Sequence, residues 1–298
     1  MLRRIAATAA AAAASLALAA APAGALAFAG WAEGPDADAV VRLQIATDQE
    51  GAFAQCTGTA VAPQWVLTAH HCIEDSPSPA GAVLVGQGAD VRTHMINAWR
   101  TPASGDLALV HVTTPMNLAH YPAVSGAVAP RGAAATVYGW SGLGQGATGD
   151  LPVAPATVTG YQDEPEFNDG AAYITRTELP TLLQQGDSGG PLFVGGKVAG
   201  VLSMAITELP AVPPVLTGYY LHAQTAPQAG WIASVIATNP TAPAAQVEVP
   251  PAGSAIIPVP LPSIKQFTPG GLNPADHIGE LPVGPSDLVD AIGAAPRG

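Results

Sequence analysis

Ser188 lies in Gly186-Asp187-Ser188-Gly189-Gly190-Pro191, and a serine set among glycines is the first place where this sequence suggests chemistry. A serine hydroxyl is a poor nucleophile at neutral pH. It needs a base in contact and an acid to orient that base, and the oxyanion it creates needs main-chain N–H donors close by. Glycines around the serine permit backbone shapes closed to other residues and let a substrate carbonyl approach the main chain. A tight turn here can aim the N–H groups of Gly186 and Ser188 at one point. A base is on offer in Trp65-Val66-Leu67-Thr68-Ala69-His70-His71-Cys72, where an apolar run delivers two histidines beside a cysteine. An acid is on offer in Asp106-Leu107-Ala108-Leu109-Val110; once buried, it could hold one tautomer of an imidazole. Each string also has a plainer reading, an ordinary turn for 186–191 and a solvated strand cap for Asp106.

These residues need a scaffold, and the pattern around them is that of short strands. Val40-Val41-Arg42-Leu43-Gln44-Ile45 alternates, and further short apolar or alternating runs stand at 65–69, 106–112, 134–138, 191–194, 198–202 and 218–222, each bounded by Gly, Pro, Asn or Asp. Many short strands at such spacing predict a barrel or sandwich. One helix is predicted from Thr225 or Ala226 to Ala237. There Trp231, Ile232, Val235 and Ile236 share a face, and Asn239-Pro240 ends the run.

Composition agrees. With 33 Gly, 30 Pro and only 11% charged residues in 298, the chain suits a turn-rich β protein rather than long charged helices. A net charge of −12 excludes the electrostatic footprint of a nucleic-acid binder.

Both ends are set apart. Met1-Leu2-Arg3-Arg4, an Ala-rich apolar stretch to Ala21, Pro22 and then Ala25-Leu26-Ala27 form the pattern of a signal peptide over 1–27, and no later segment reads as a membrane span. Residues 241–298 carry eleven prolines and read as a Pro-rich, partly disordered tail whose apolar residues can lie on the main domain. A short helix capped by Ser286 is predicted over 286–292. Cys56 and Cys72 are the two cysteines. In an exported chain such a pair tends to form a disulfide, and their spacing with the adjacent histidines does not match the usual zinc patterns. No metal or organic cofactor is expected.

Taken together, the strings around His71, Asp106 and Ser188 resemble the chymotrypsin-like (trypsin-like) serine peptidases over roughly 38–237. Tyr138-Gly139-Trp140-Ser141-Gly142 adds a further match. The resemblance implies two six-stranded antiparallel β-barrels with a C-terminal helix, over a domain of residues 28–240. It implies His71 rather than His70 as the base, Asp106 as its acid, Ser188 as nucleophile, Gly186 and Ser188 as the oxyanion hole, and a Cys56–Cys72 disulfide. His70 becomes a rim residue.

The family's primary pocket falls on Leu182, Ser203, Met204, Ala205 and Gly218. Leu182 stands where trypsin-type members carry aspartate, so cleavage after an apolar residue is expected. The family's new N-terminus pairs with the acid beside the serine, here Asp187. Either Phe28-Ala29-Gly30 inserts there after signal cleavage, or Asp187 has another partner. The implied protein is a secreted, monomeric serine endopeptidase acting on protein or peptide substrates. A catalytically inactive binding protein on the same fold, or an esterase, is the competing reading.

Overall fold

The computed structural model describes residues 29–49, 52–141, 149–178, 181–207, 216–241, 243, 257–258 and 263–264. A short strand β1 (Gly30–Trp31) and a four-residue helix α1 (Pro35–Asp38) lead into β2 (Val40–Ala46), β3 (Phe53–Ala62), β4 (Trp65–Thr68), β5 (Gly81–Val85), β6 (Arg92–Arg100) and β7 (Ala108–Val112). These last six pair in the order β3-β2-β5-β6-β7-β4, and β4 returns to β3, which closes a barrel. A second set follows: β8 (Ala134–Tyr138), β9 (Pro152–Glu164), β10 (Gly170–Thr177), β11 (Pro191–Val194), β12 (Lys197–Thr207) and β13 (Leu216–Gln224). Its order is β9-β10-β13-β12-β11-β8, closed by β8 on β9. Both barrels are antiparallel, as the resemblance implies. Closure removes the open edges that a flat sheet would expose.

β2 is buried on both faces. Val41, Leu43 and Ile45 point into the first core. Arg42 and Gln44, on the other face, are buried too. That face meets the second half of the molecule, where the Arg42 guanidinium lies 4.6 Å from the ring centre of Trp140 and the Trp140 indole N–H donates to the Val40 carbonyl at 3.0 Å.

Every predicted strand is found, with Asp106 and Leu107 left just outside β7. The barrel strands missed by pattern are β3, β5, β6, β9 and β10. Gln55, Thr57, Gly58 and Thr59 dilute the apolar signal of β3, and Pro155 and Gly160 read as breakers in β9.

The predicted terminal helix begins as a 3-10 turn at Ala226–Gln228, with Pro227 in it, and continues as α2 (Ala229–Ile236). Ile232 and Val235 of α2 pack into the core of the first barrel, so the last helix ties the second half back to the first. Two pieces of the tail add parallel strands. β14 (Ile257–Pro258) lies on β3, and β15 (Ser263–Ile264) lies on β12. The segment 1–27 and the helix expected at 286–292 lie outside the described residues. Among the described residues no helix is long and apolar enough to cross a membrane.

Candidate active site

β4 runs from Trp65 to Thr68 between β3 and β7, and the chain leaves it through a single 3-10 turn, His70–Cys72. This turn carries the base candidate. Cys72 is bonded to Cys56 of β3, with the two Cα atoms 6.2 Å apart, which pins the turn to the barrel wall. Closing so short a loop contributes about 3 kcal/mol on a loop-entropy view.

His71 and Asp106 are both buried, and they are joined twice. His71 Nδ1 lies 2.7 Å from Asp106 Oδ2, and the His71 main-chain N–H donates to Asp106 Oδ1 at 2.9 Å. The second bond explains why Asp106 sits just before β7: there it can cap the histidine turn as well as the ring. Burial works against the imidazolium, but the charge and hydrogen bond of Asp106 outweigh it and hold the His71 pKa above its ordinary value. Burial also opposes ionisation of Asp106. His71 and the Ser203 hydroxyl outweigh that, so the Asp106 pKa lies below its usual range. The pair therefore favours a charged histidine beside a carboxylate. His70 is half-buried at the rim, its ring 6.0 Å from Phe167.

Ser188 comes from the turn before β11, in the second half of the chain. Its carbonyl accepts the Thr57 N–H at 2.8 Å, Gly186 O accepts the Thr57 hydroxyl at 2.8 Å, and Gly189 N–H donates to Leu202 O at 2.8 Å. The turn is thus clamped between β3 and β12. Gly189 has φ +77°, and a Cβ there would overlap Thr68 Oγ1 and the Thr57 carbonyl, so neither its conformation nor its packing admits a side chain. Ser188 Oγ and His71 Nε2 are both buried and engage no protein group. No hydrogen bond closes between them in this structure.

Asp187 is fully buried. Its Oδ1 accepts the Ser141 N–H and its Oδ2 accepts the Gln184 N–H, both at 2.8 Å. Two main-chain amides therefore hold this carboxylate. A Cβ on Gly139 would overlap the same carboxylate, which accounts for glycine in the Tyr138-Gly139-Trp140 stretch. Phe28 lies outside the described residues.

The pocket candidates divide. Leu182 is half-buried. Ala205 packs with Leu183, Leu202 and Tyr220, and the Tyr220 hydroxyl accepts the Leu183 N–H at 2.9 Å. Met204 faces the other way, against Phe167, Ala172 and Leu221. Gly218 has φ +78°, and its carbonyl accepts from the Thr177 hydroxyl at 3.4 Å. Ser203 is buried between two acids, its hydroxyl near enough to favour the charged form of each.

The second of those acids was missed in the sequence. Glu164 ends β9, opposite Gly170 of β10, and is fully buried. The hairpin tip that carries it packs on the loop of Asp106, where Gly105 N–H donates to Phe167 O at 2.8 Å. Burial, helped by the charge of Asp106, pushes the Glu164 pKa up to about 8, against the pull of the Ser203 hydroxyl, the Asp106 amide and His71. Period-two alternation was the available signal: Val158, Gly160 and Glu164 share the inward face of β9. Among the described residues no group of His, Cys, Asp and Glu is arranged to hold a metal ion.

The sign of the Glu164 effect on stability follows. An unfolded chain gives up this proton near pH 4.5, while the folded chain keeps it to about pH 8. Between these values the native state binds the extra proton, so stability falls as pH rises through the window, by at most about 1.4 kcal/mol per pH unit. The variant Glu164→Gln is expected to unfold at higher urea than the wild type at pH 8, with the gap closing by pH 5. Parallel unfolding midpoints at the two pH values would contradict this.

Comparison with known proteins places these features in a family. The family model described as Trypsin matches residues 32–222. An uncharacterized peptidase of Corynebacterium glutamicum strain R is 32% identical over 200 residues, covering 66% of this chain and 67% of its own. The Rv3671c protease of M. tuberculosis in its active form shares the fold with TM-score 0.52 and 23% identity, over 69% of this chain and 84% of that one. Human heparin binding protein does so with TM-score 0.53 and 18% identity, over 73% and 99%. With the family model spanning both barrels and the residues from His71 to Ser188, the chain belongs to the trypsin family of serine peptidases.

Proposed function

We propose that this serine endopeptidase is secreted and cleaves peptide bonds after apolar residues, using His71, Asp106 and Ser188 as its triad. One observation carries the reading. His71 commits Nδ1 to Asp106 at 2.7 Å, while its Nε2 and the Ser188 Oγ stay buried and unengaged. His71 Nε2 takes the proton of Ser188 as Oγ attacks the substrate carbonyl. Asp106 keeps the ring oriented and stabilises its charged form. The N–H groups of Gly186 and Ser188 receive the oxyanion. His71 then protonates the leaving amine, and water releases the acyl group by the same route. Because His71 acts as a base only when neutral, its raised pKa places the rise of activity above pH 6.5.

A fluorophosphonate is expected to label wild-type Ser188 and to leave Ser188→Ala unlabelled. Asp106→Asn is expected to lower kcat by about 10⁴-fold, since the ring loses its orienting acceptor. A folded wild-type protein that takes no label would favour the inactive binding reading.

The apolar preference is supported by Leu182, by Ala205 packed beside Leu183 and Tyr220, and by the lack of an acid at Leu182. A peptide-library profile dominated by small or medium apolar residues before the cut agrees with it; dominant cleavage after Arg or Lys refutes it.

Export is supported by the pattern of residues 1–27 and by the Cys56–Cys72 disulfide, which suits an oxidising compartment. N-terminal sequencing of protein recovered from the culture medium is expected to begin at Phe28. A protein that stays in the cytoplasm with Met1 intact would overturn this.

A further inference from the structure

Two strand edges flank Ser188, and both are held by its turn at one end. On β3, one edge pairs with β2 along residues 53–59, and β4 takes the other edge only from Thr59 onward. On that second edge Thr57 N–H binds the Ser188 carbonyl. Gln55, two residues earlier, presents its main-chain groups in the same direction, about 7 Å further along. On β12, pairing with β11 stops at Val201. Leu202 then exchanges both main-chain hydrogen bonds with the Ser188 turn, through Gly189 N–H and Gly190 O, and the edge beyond it is left by the barrel strands. Unpaired main-chain groups of this kind recruit extended peptides as added strands.

In this structure both edges are taken by the chain itself. Ile257–Pro258 pairs with Ala54–Gln55, and Ser263–Ile264 pairs with Ala205–Ile206, each in parallel register. The two paired pieces are close in sequence, with Pro258 and Ser263 five residues apart. Residues 255–264 read Ala-Ile-Ile-Pro-Val-Pro-Leu-Pro-Ser-Ile: apolar and uncharged. Prolines 258, 260 and 262 carry no N–H, so they can donate a main-chain hydrogen bond to neither edge. Such an occupant holds the edges weakly and offers Pro-linked bonds in place of ordinary amides.

The geometry points to Ile257–Pro258 and Ser263–Ile264 as internal occupants of the substrate edges beside Ser188, which compete with peptide substrates. This rests on the peptidase reading of Ser188. The competition is intramolecular, with an effective concentration on the order of 1 mM for a flexible tether, so a segment of about 0.1 mM intrinsic affinity lowers substrate access about tenfold.

The full chain is compared with a full-length variant in which residues 257–264 are replaced by alternating Gly and Ser. The replacement is expected to raise kcat/KM on a short apolar peptide amide about tenfold, at any enzyme concentration, with kcat unchanged. Equal kcat/KM in the two proteins overturns the inference. A second arm needs no catalysis. A fluorescent peptide of residues 255–265 is titrated into Ser188→Ala protein with the tail either intact or replaced. Binding to the replaced form that is at least several-fold tighter than to the intact form supports occupancy in cis; equal binding, or none to either, overturns it. Failure of fluorophosphonate labelling would count against the peptidase reading alone, because the binding arm still decides the tail.

Discussion

Thr57 is the residue on which the site depends. Its N–H donates to the Ser188 carbonyl, its hydroxyl donates to Gly186 O and accepts the Trp140 N–H, and its carbonyl accepts the Thr68 hydroxyl. All of this happens in the interior. A buried polar group left unpaired costs more than a satisfied one contributes. The four bonds therefore act as a constraint: β3, β4, the Trp140 segment and the Ser188 turn are compatible with one another in one arrangement. That arrangement brings the disulfide-bearing strand of the first barrel against the nucleophile candidate of the second. The neighbouring Gln55 side chain, which donates to the Trp140 carbonyl, adds a further tie across the same seam.

The chain has few charges, yet three of its acids are fully buried around this seam, and they meet different fates. Asp106 has a histidine ring and that histidine's own amide, and it stays ionised against burial. Asp187 has two main-chain amides, the kind of donor set that supports a buried carboxylate. Glu164 closes no full hydrogen bond through either oxygen and keeps its proton to about pH 8. Ser203 lies between the first and the third. The local field at His71 is thus built from one permanent carboxylate, with a second acid nearby that is neutral through most of the physiological range. Two ionised carboxylates sharing one hydroxyl would repel each other in a site with little water to screen them.

The tail shows how the same physics treats a peptide. Closed barrels abolish edges, but short ones return where one strand outruns its neighbour. β3 before Thr59 and β12 after Leu202 are such places. The barrel strands do not pair along them, and in this structure chain supplied in cis does so at Ala54–Gln55 and Ala205–Ile206.

Much of this was legible in the linear chain. The glycines around Ser188, the apolar run ending at His71 and Cys72, and Asp106 before its own apolar run are local patterns, so the nucleophile, base and acid candidates and a β-rich barrel or sandwich could be read there, while the two barrels and the choice of His71 over His70 came from the resemblance to the chymotrypsin-like peptidases. Glu164 was signalled only by the alternation of β9, which Pro155 and Gly160 obscure, and its importance lies in what faces it rather than in its neighbours along the chain. Asp187 was recognisable as a carboxylate in need of a partner, but Ser141 and Gln184 came to it only by folding. The apolar content of residues 255–264 hinted at contact with the main domain; which edges it would meet depended on where β11 and β4 stop pairing. The sequence by itself determined the chemical groups and the short-range geometry that presents them, since turns, disulfide spacing and strand alternation are local. Only the tertiary structure decided which acids stay charged, which edges remain open and what occupies them, because burial and pairing arise between segments far apart in the chain.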